Sequence, residues 1–186
     1  QDPKRVIIAN DGGVDLTFDG GETWLSPPLP LGQFYHVSTD TRVPFRVAGA
    51  MQDIGTAQAP SNTFSGSGIR NGDWYGVGGG EAGWVVSDPA DPDVVYAGEY
   101  LGYLSRYDHR TRQAKNVSVW PDNPSGWAGE QMRYRFQWTA ALAVSPHPPH
   151  AVYHGANVLF RSRDRGDTWE AISPDLTRND KSKQKW

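Results

Sequence analysis

Cysteine is absent from this 186-residue chain, which excludes disulfides and thiolate metal sites. That absence suits a bacterial protein exported to the periplasm or beyond, so a secreted or periplasmic location is expected. A start Met and a signal segment are missing from Gln1-Asp2-Pro3-Lys4, so the sequence reads as a mature or excised product. No run of 18 apolar residues occurs, which argues against a membrane-spanning helix. Excess positive charge is lacking too: the formal net charge is -3, and no basic field recommends nucleic acid as a partner. Sustained helical periodicity is missing, apart from room for one turn within 129–138.

What is present in quantity is turn-formers and aromatics. The 21 Gly and 14 Pro punctuate short segments, and 8 Trp with 8 Tyr favour strands and half-buried surfaces. The expected class is all-β.

A short β-branched or aromatic strand recurs four times: Val6-Ile7-Ile8-Ala9, Phe45-Arg46-Val47-Ala48, Val94-Val95-Tyr96-Ala97 and Ala151-Val152-Tyr153-His154. Each follows a turn containing Pro, and before the last three turns lies another strand, at 34–38, 83–87 and 139–144. A spacing of roughly 40 to 57 residues fits propeller blades better than helical repeats. The expectation is a β-propeller segment of about four four-stranded blades, the first incomplete. They run approximately over 1–31, 32–82, 83–136 and 137–178, with a polar tail at 179–186. A piece of this kind needs the remaining blades, or another copy of the chain, to close its ring.

Two third strands run into one signature, [S/T]-x-D-x-G-x-T-W. One is Thr17-Phe18-Asp19-Gly20-Gly21-Glu22-Thr23-Trp24 and the other is Ser162-Arg163-Asp164-Arg165-Gly166-Asp167-Thr168-Trp169. Arg106 to Thr111 reads as a worn copy. The hydroxyl and carboxylate suit local backbone hydrogen bonds that close a hairpin, Gly supplies a positive φ, and Trp packs its ring on the blade. Thr17, Asp19, Gly21, Trp24, Ser162, Asp164, Gly166 and Trp169 are therefore structural rather than catalytic.

This signature is the Asp-box of bacterial neuraminidase repeats, and the chain resembles the bacterial sortilin-type propellers often labelled glycosyl hydrolase. The resemblance also rests on Gly49 to Thr56, Gly78 to Trp84, Leu142 to His147 and Ile172 to Thr177. Ile54 stands where that group usually has Asn, and Glu81 where it often has Asp. The resemblance implies a propeller that hydrolyses or binds a carbohydrate or peptide ligand.

In a propeller, the turn after the second strand of each blade shares a face with the connections between blades. Asn10-Asp11, Gln52-Asp53 and Glu99-Tyr100 occupy that turn, and the long connections 71–81 and 120–135 border the same face. Long loops on a rigid scaffold are where binding sites concentrate. Asp53 and Glu81 are the candidate catalytic carboxylates; Asp11, Gln52, Glu99, Trp74, Trp127, Arg133 and Tyr134 are candidate ligand-binding residues. Asp at a tight turn also caps backbone groups, and Trp74 and Trp127 could equally pack under their own loops. The five His show no metal-ligand spacing, and neither a metal nor a cofactor is expected. Three functions stay open: a glycoside hydrolase with paired carboxylates, a binding propeller without chemistry, and a scaffold whose site lies elsewhere. A sialidase is disfavoured, because it needs an arginine cluster and a Tyr-Glu pair.

Overall fold

A computed structural model describes residues 2–10, 12–29, 31–120 and 122–185. Among these, regular structure consists of thirteen strands in four antiparallel sheets, with isolated 3-10 turns. Blade one holds β1 (Val6–Asn10) and β2 (Gly13–Thr17). Blade two holds β3 (Phe34–Thr39), β4 (Arg46–Met51) and β5 (Gly55–Pro60). Blade three holds β6 (Ala82–Ser87), β7 (Val94–Glu99), β8 (Leu104–Asp108) and β9 (Gln113–Asn116). Blade four holds β10 (Leu142–Val144), β11 (Val152–Gly155), β12 (Leu159–Ser162) and β13 (Glu170–Ala171). Every sheet runs up and down in chain order, and the first strands β3, β6 and β10 lie successively against one another. His36 on β3 stacks on Trp84 on β6, with ring centroids 3.7 Å apart. The fold is all-β, built of propeller blades.

Side-chain alternation explains why the blades stack. On β7, Val95 and Ala97 pack towards blade two with Ala48, Ala50, Val77 and Val85. Val94 and Tyr96, from the opposite face of the same strand, pack with Leu142 and Val152 of blade four. A strand covered on both faces must be apolar along its whole length, and Val-Val-Tyr-Ala-Gly is. Polar links reinforce the stack: Ser38 Oγ donates to the Val85 carbonyl at 2.5 Å, and Arg165 reaches Asp91 at 3.3 Å.

Three sequence expectations change. Only blades three and four are four-stranded. The fourth strand shrinks to one bridge in blade two, Gln58 to Tyr75, and in blade one, Leu16 to Leu25. Tyr75 thus belongs to a blade, although the spacing placed it in a connection. The Arg106 to Thr111 segment is not a worn signature, because Tyr107 pairs with Val95 as Ser162 pairs with Val152. Asp108 therefore takes the place of Arg163 rather than Asp164, and it binds the Arg110 backbone and guanidinium instead. The tail is not a free linker either: it forms a 3-10 turn at Lys181–Lys183, and the Gln184 carbonyl accepts the Glu130 N–H at 3.1 Å. Among the described residues, no helix is long and apolar enough to cross a membrane.

Candidate functional site

The two signature turns come first, because their carboxylates are the most conspicuous in the sequence. Asp164 accepts the Ser162 hydroxyl at 2.8 Å and the Thr168 N–H at 2.9 Å, and Gly166 N–H donates to Ser162 Oγ at 2.7 Å. Asp19 repeats the pattern with Thr17, Thr23 and Gly21. The Thr168 hydroxyl, then its N–H and the Ser162 hydroxyl, hold the Asp164 carboxyl down at about 2; Thr23 leads the same lowering for Asp19. A carboxylate saturated by its own hairpin is a strut. Gly166 has φ +88°, and a Cβ there would meet Val117 at 2.9 Å, so only glycine fits. The Trp169 indole N–H donates to the Val117 carbonyl of the preceding blade at 2.8 Å. Trp24, against which no described blade packs in that way, is 45% exposed, unlike the buried ring expected.

The second candidate region is the turn between β4 and β5. Asp53 takes a left-handed backbone (φ +59°), and its N–H donates to Glu81 Oε2 at 3.0 Å. The Gln52 amide nitrogen donates to the same Glu81 oxygen at 2.9 Å and to Asp53 Oδ1 at 3.0 Å. Glu81 thus ties the connection leaving blade two to that blade's own turn. Two oxygens sharing one donor nitrogen lie no farther apart than the two bonds end to end. That is below the ~6.5–9.5 Å of an inverting carboxyl pair and near the ~5 Å of a retaining one.

Glu99, at the end of β7, completes the acidic group. Its strand pairs it with Ala82, and its side chain lies over Gly80, where any Cβ would collide with the carboxyl group. Burial, and secondarily the Glu81 charge, push the Glu99 carboxyl above the ordinary Glu range.

Two aromatic residues join this group that the sequence reading did not single out. Tyr35 on β3 donates its hydroxyl to Gln52 Oε1, and the Trp138 indole N–H donates to the Tyr35 oxygen at 3.3 Å. Trp138 stacks on Tyr100 at 4.9 Å with planes 7° apart. Tyr35 falls within the expected strand 34–38, and Trp138 at the end of the 129–138 segment that has room for one helical turn. Their one visible signal was an aromatic just inside or just ahead of a first strand.

The remaining candidates scatter. Trp74 lies 6.3 Å from Phe34, on the wall of a mainly apolar cavity of about 280 Å³. An adjoining cavity of about 450 Å³ between blades one and two is lined by Asn10, Gln52, Asp53 and Leu31, among others. Arg133 is used within its own insertion, 4.2 Å over the Trp120 ring, and Tyr134 sets its edge against Phe160 of blade four. Trp127 borders that packed insertion and is 42% exposed. Asp11 lies outside the described residues.

No protein-family model and no curated protein matches this sequence. Among solved structures, it is similar to the GH74 xyloglucanase from Xanthomonas campestris, with 19% identity and a TM-score of 0.35. The match covers 96% of this chain and 31% of that one, so the chain spans less than a third of that protein's length.

Proposed function

We propose that the face formed by Gln52, Asp53, Glu81, Glu99, Tyr100 and Trp138 binds carbohydrate. The observation that carries this reading is the convergence of three carboxylates, one amide and an exposed aromatic stack from three blades. Sugars present hydroxyls to carboxylates and amides, and C–H surfaces to aromatic faces. Gln52 and Asp53 also line the 450 Å³ cavity beside them, which gives an extended ligand a second foothold. The two identically bonded signature turns support membership of the Asp-box, sortilin-type propellers, and a polysaccharide ligand agrees with a secreted or periplasmic location.

A second reading, glycoside hydrolysis, is favoured by one specific observation. Burial, and secondarily the nearby Glu81 charge, promote protonation of the Glu99 carboxyl, as a general acid requires. Glu99 would protonate the leaving oxygen and Glu81 would act as the anionic partner. Asp53, chosen from sequence as a catalytic acid, would then position Gln52 and the ligand.

The test is incubation with a panel of polysaccharides including xyloglucan, reading both bound fraction and newly formed reducing ends. Reducing ends that vanish in Glu99→Gln and Glu81→Gln, with binding kept, support hydrolysis. Binding without release supports recognition alone. Absence of both overturns the carbohydrate reading.

A further inference from the structure

The contact between blades three and four has two halves, and each half recurs uncovered elsewhere in the molecule. On the blade-three side, Tyr96, Leu104 and Val117 are 0, 2 and 4% exposed. On the blade-four side, Val152 is 0% exposed and Trp169 donates to the Val117 carbonyl. Arg106 Nη1 donates to the Arg165 carbonyl at 2.7 Å and lies 3.3 Å from Asp167.

Sheet register identifies the repeats of both halves. Val117 N–H bonds the Leu104 carbonyl as Ile172 N–H bonds the Leu159 carbonyl, so Ile172 is the blade-four counterpart of Val117. Arg161, paired with Tyr153, is the counterpart of Arg106, paired with Tyr96. On blade one, Val6 pairs with Thr17 as Val152 pairs with Ser162. Val6, Trp24 and Glu22 are therefore the counterparts of Val152, Trp169 and Asp167. Val117 and Val152 are buried and Trp169 is half-buried, whereas Ile172 is 37% exposed, Val6 39% and Trp24 45%. Arg161 Nη2 is held by Glu170 at 2.8 Å, and its Nε is buried with no partner among the described residues.

We propose that blade four of a second copy packs on blade one and repeats this interface between molecules. Trp24 then donates to the Ile172 carbonyl of the second copy, and that copy's Arg161 meets Glu22 and the Gly20 carbonyl. One charge pair carries over: Glu22, exposed on the blade-one turn, would meet Arg161, whose Nη2 also holds Glu170 of its own blade at 2.8 Å, while Asp19 is saturated by its own hairpin. Glu170 stands where blade three has Lys115, so the Lys115–Asp167 pair at 2.8 Å is not repeated: Glu170 would approach Glu22 with like charge, offset by the Arg161 guanidinium that already holds it. The contact is heterologous, and with two copies it closes as a ring of blades.

Light-scattering mass of the whole chain tests this. The wild type forms a dimer. Trp24→Ala and Ile172→Glu are each monomeric alone but regain a dimer when mixed, because each keeps the face that the other lacks. The exposed Glu22→Arg leaves the fold intact, as a thermal melt confirms, and weakens the dimer about tenfold or more, with loss of its salt dependence. A wild type that is monomeric at every concentration, a dimer unaffected by Glu22→Arg, or folded variants that stay monomeric on mixing overturns the proposal.

Discussion

Asp164 shows how much a single carboxylate does when its chemistry is entirely local. It gathers two hydroxyls and an N–H within one hairpin, and that hairpin also holds Trp169 against blade three. Asp164→Ala is expected to lower the melting temperature by several degrees, and Asp19→Ala by less, because the blade-one turn braces no neighbouring blade in this way; a thermal scan of each variant decides. His109 works in the opposite direction. Its Nε2 is buried without a partner among the described residues, and burial, then Arg46, hold its pKa down at about 4. The unfolded chain takes up that proton near pH ~6.5, so stability declines as pH falls from about 6.5 to about 4. The lowered Asp164 acts below that: its contribution is complete above about pH 4 and fades as pH falls towards about 2. Melting temperature against pH should show both limbs. His109→Gln should flatten the upper limb, apart from the share due to buried His154, and leave the lower limb unchanged.

At the scale of elements, β1 and β7 carry nearly the same string and meet opposite fates. Val94-Val95-Tyr96-Ala97 is buried on both faces, whereas Val6, Ile7 and Ile8 are 39, 71 and 43% exposed. The difference is neighbours, since β7 lies between two blades. The recurring string, legible in the sequence, identifies each second strand but does not say which blades flank it. The same holds for the signature tryptophans. Trp169→Phe keeps the ring's packing but loses the bond to the Val117 carbonyl, and should cost about 1 kcal/mol in denaturant unfolding. Trp24→Phe in the monomer should cost almost nothing, because no equivalent bond exists there among the described residues. The insertion 120–135 was read from its composition as binding surface, yet Arg133 and Tyr134 are consumed by Trp120 and Phe160. An arginine among aromatics satisfies itself when the loop folds back, and spacing alone does not reveal that.

For the whole molecule, the candidate site is a product of blade packing. Gln52 and Glu81 are 29 residues apart, and Tyr35 and Trp138 are 103 apart, yet both pairs are hydrogen-bonded. Trp138 is 48% exposed, so Trp138→Ala should weaken polysaccharide binding about tenfold while the melting temperature barely moves. Binding isotherms beside thermal melts separate a stacking platform from a structural aromatic. A large drop in melting temperature would mean that Trp138 holds the blades together rather than a ligand.

The sequence alone determined what depends on local chemistry. Strands of period two, turn residues and a repeated signature mark out an all-β chain of blades, and in both copies the signature Asp bonds within its own hairpin. It also put Gln52, Asp53 and Glu99 at turns on one face. Tertiary structure decided the rest: that Glu81 clasps Gln52 and Asp53, that the half-buried Glu99 carboxyl is pushed above the ordinary Glu range, and that Tyr35 and Trp138 are bonded beside them. Those contacts join residues whose only relation is that successive blades bring their first strands together. Desolvation, which raises Glu99, depends on what packs around a carboxyl rather than on its neighbours in the chain.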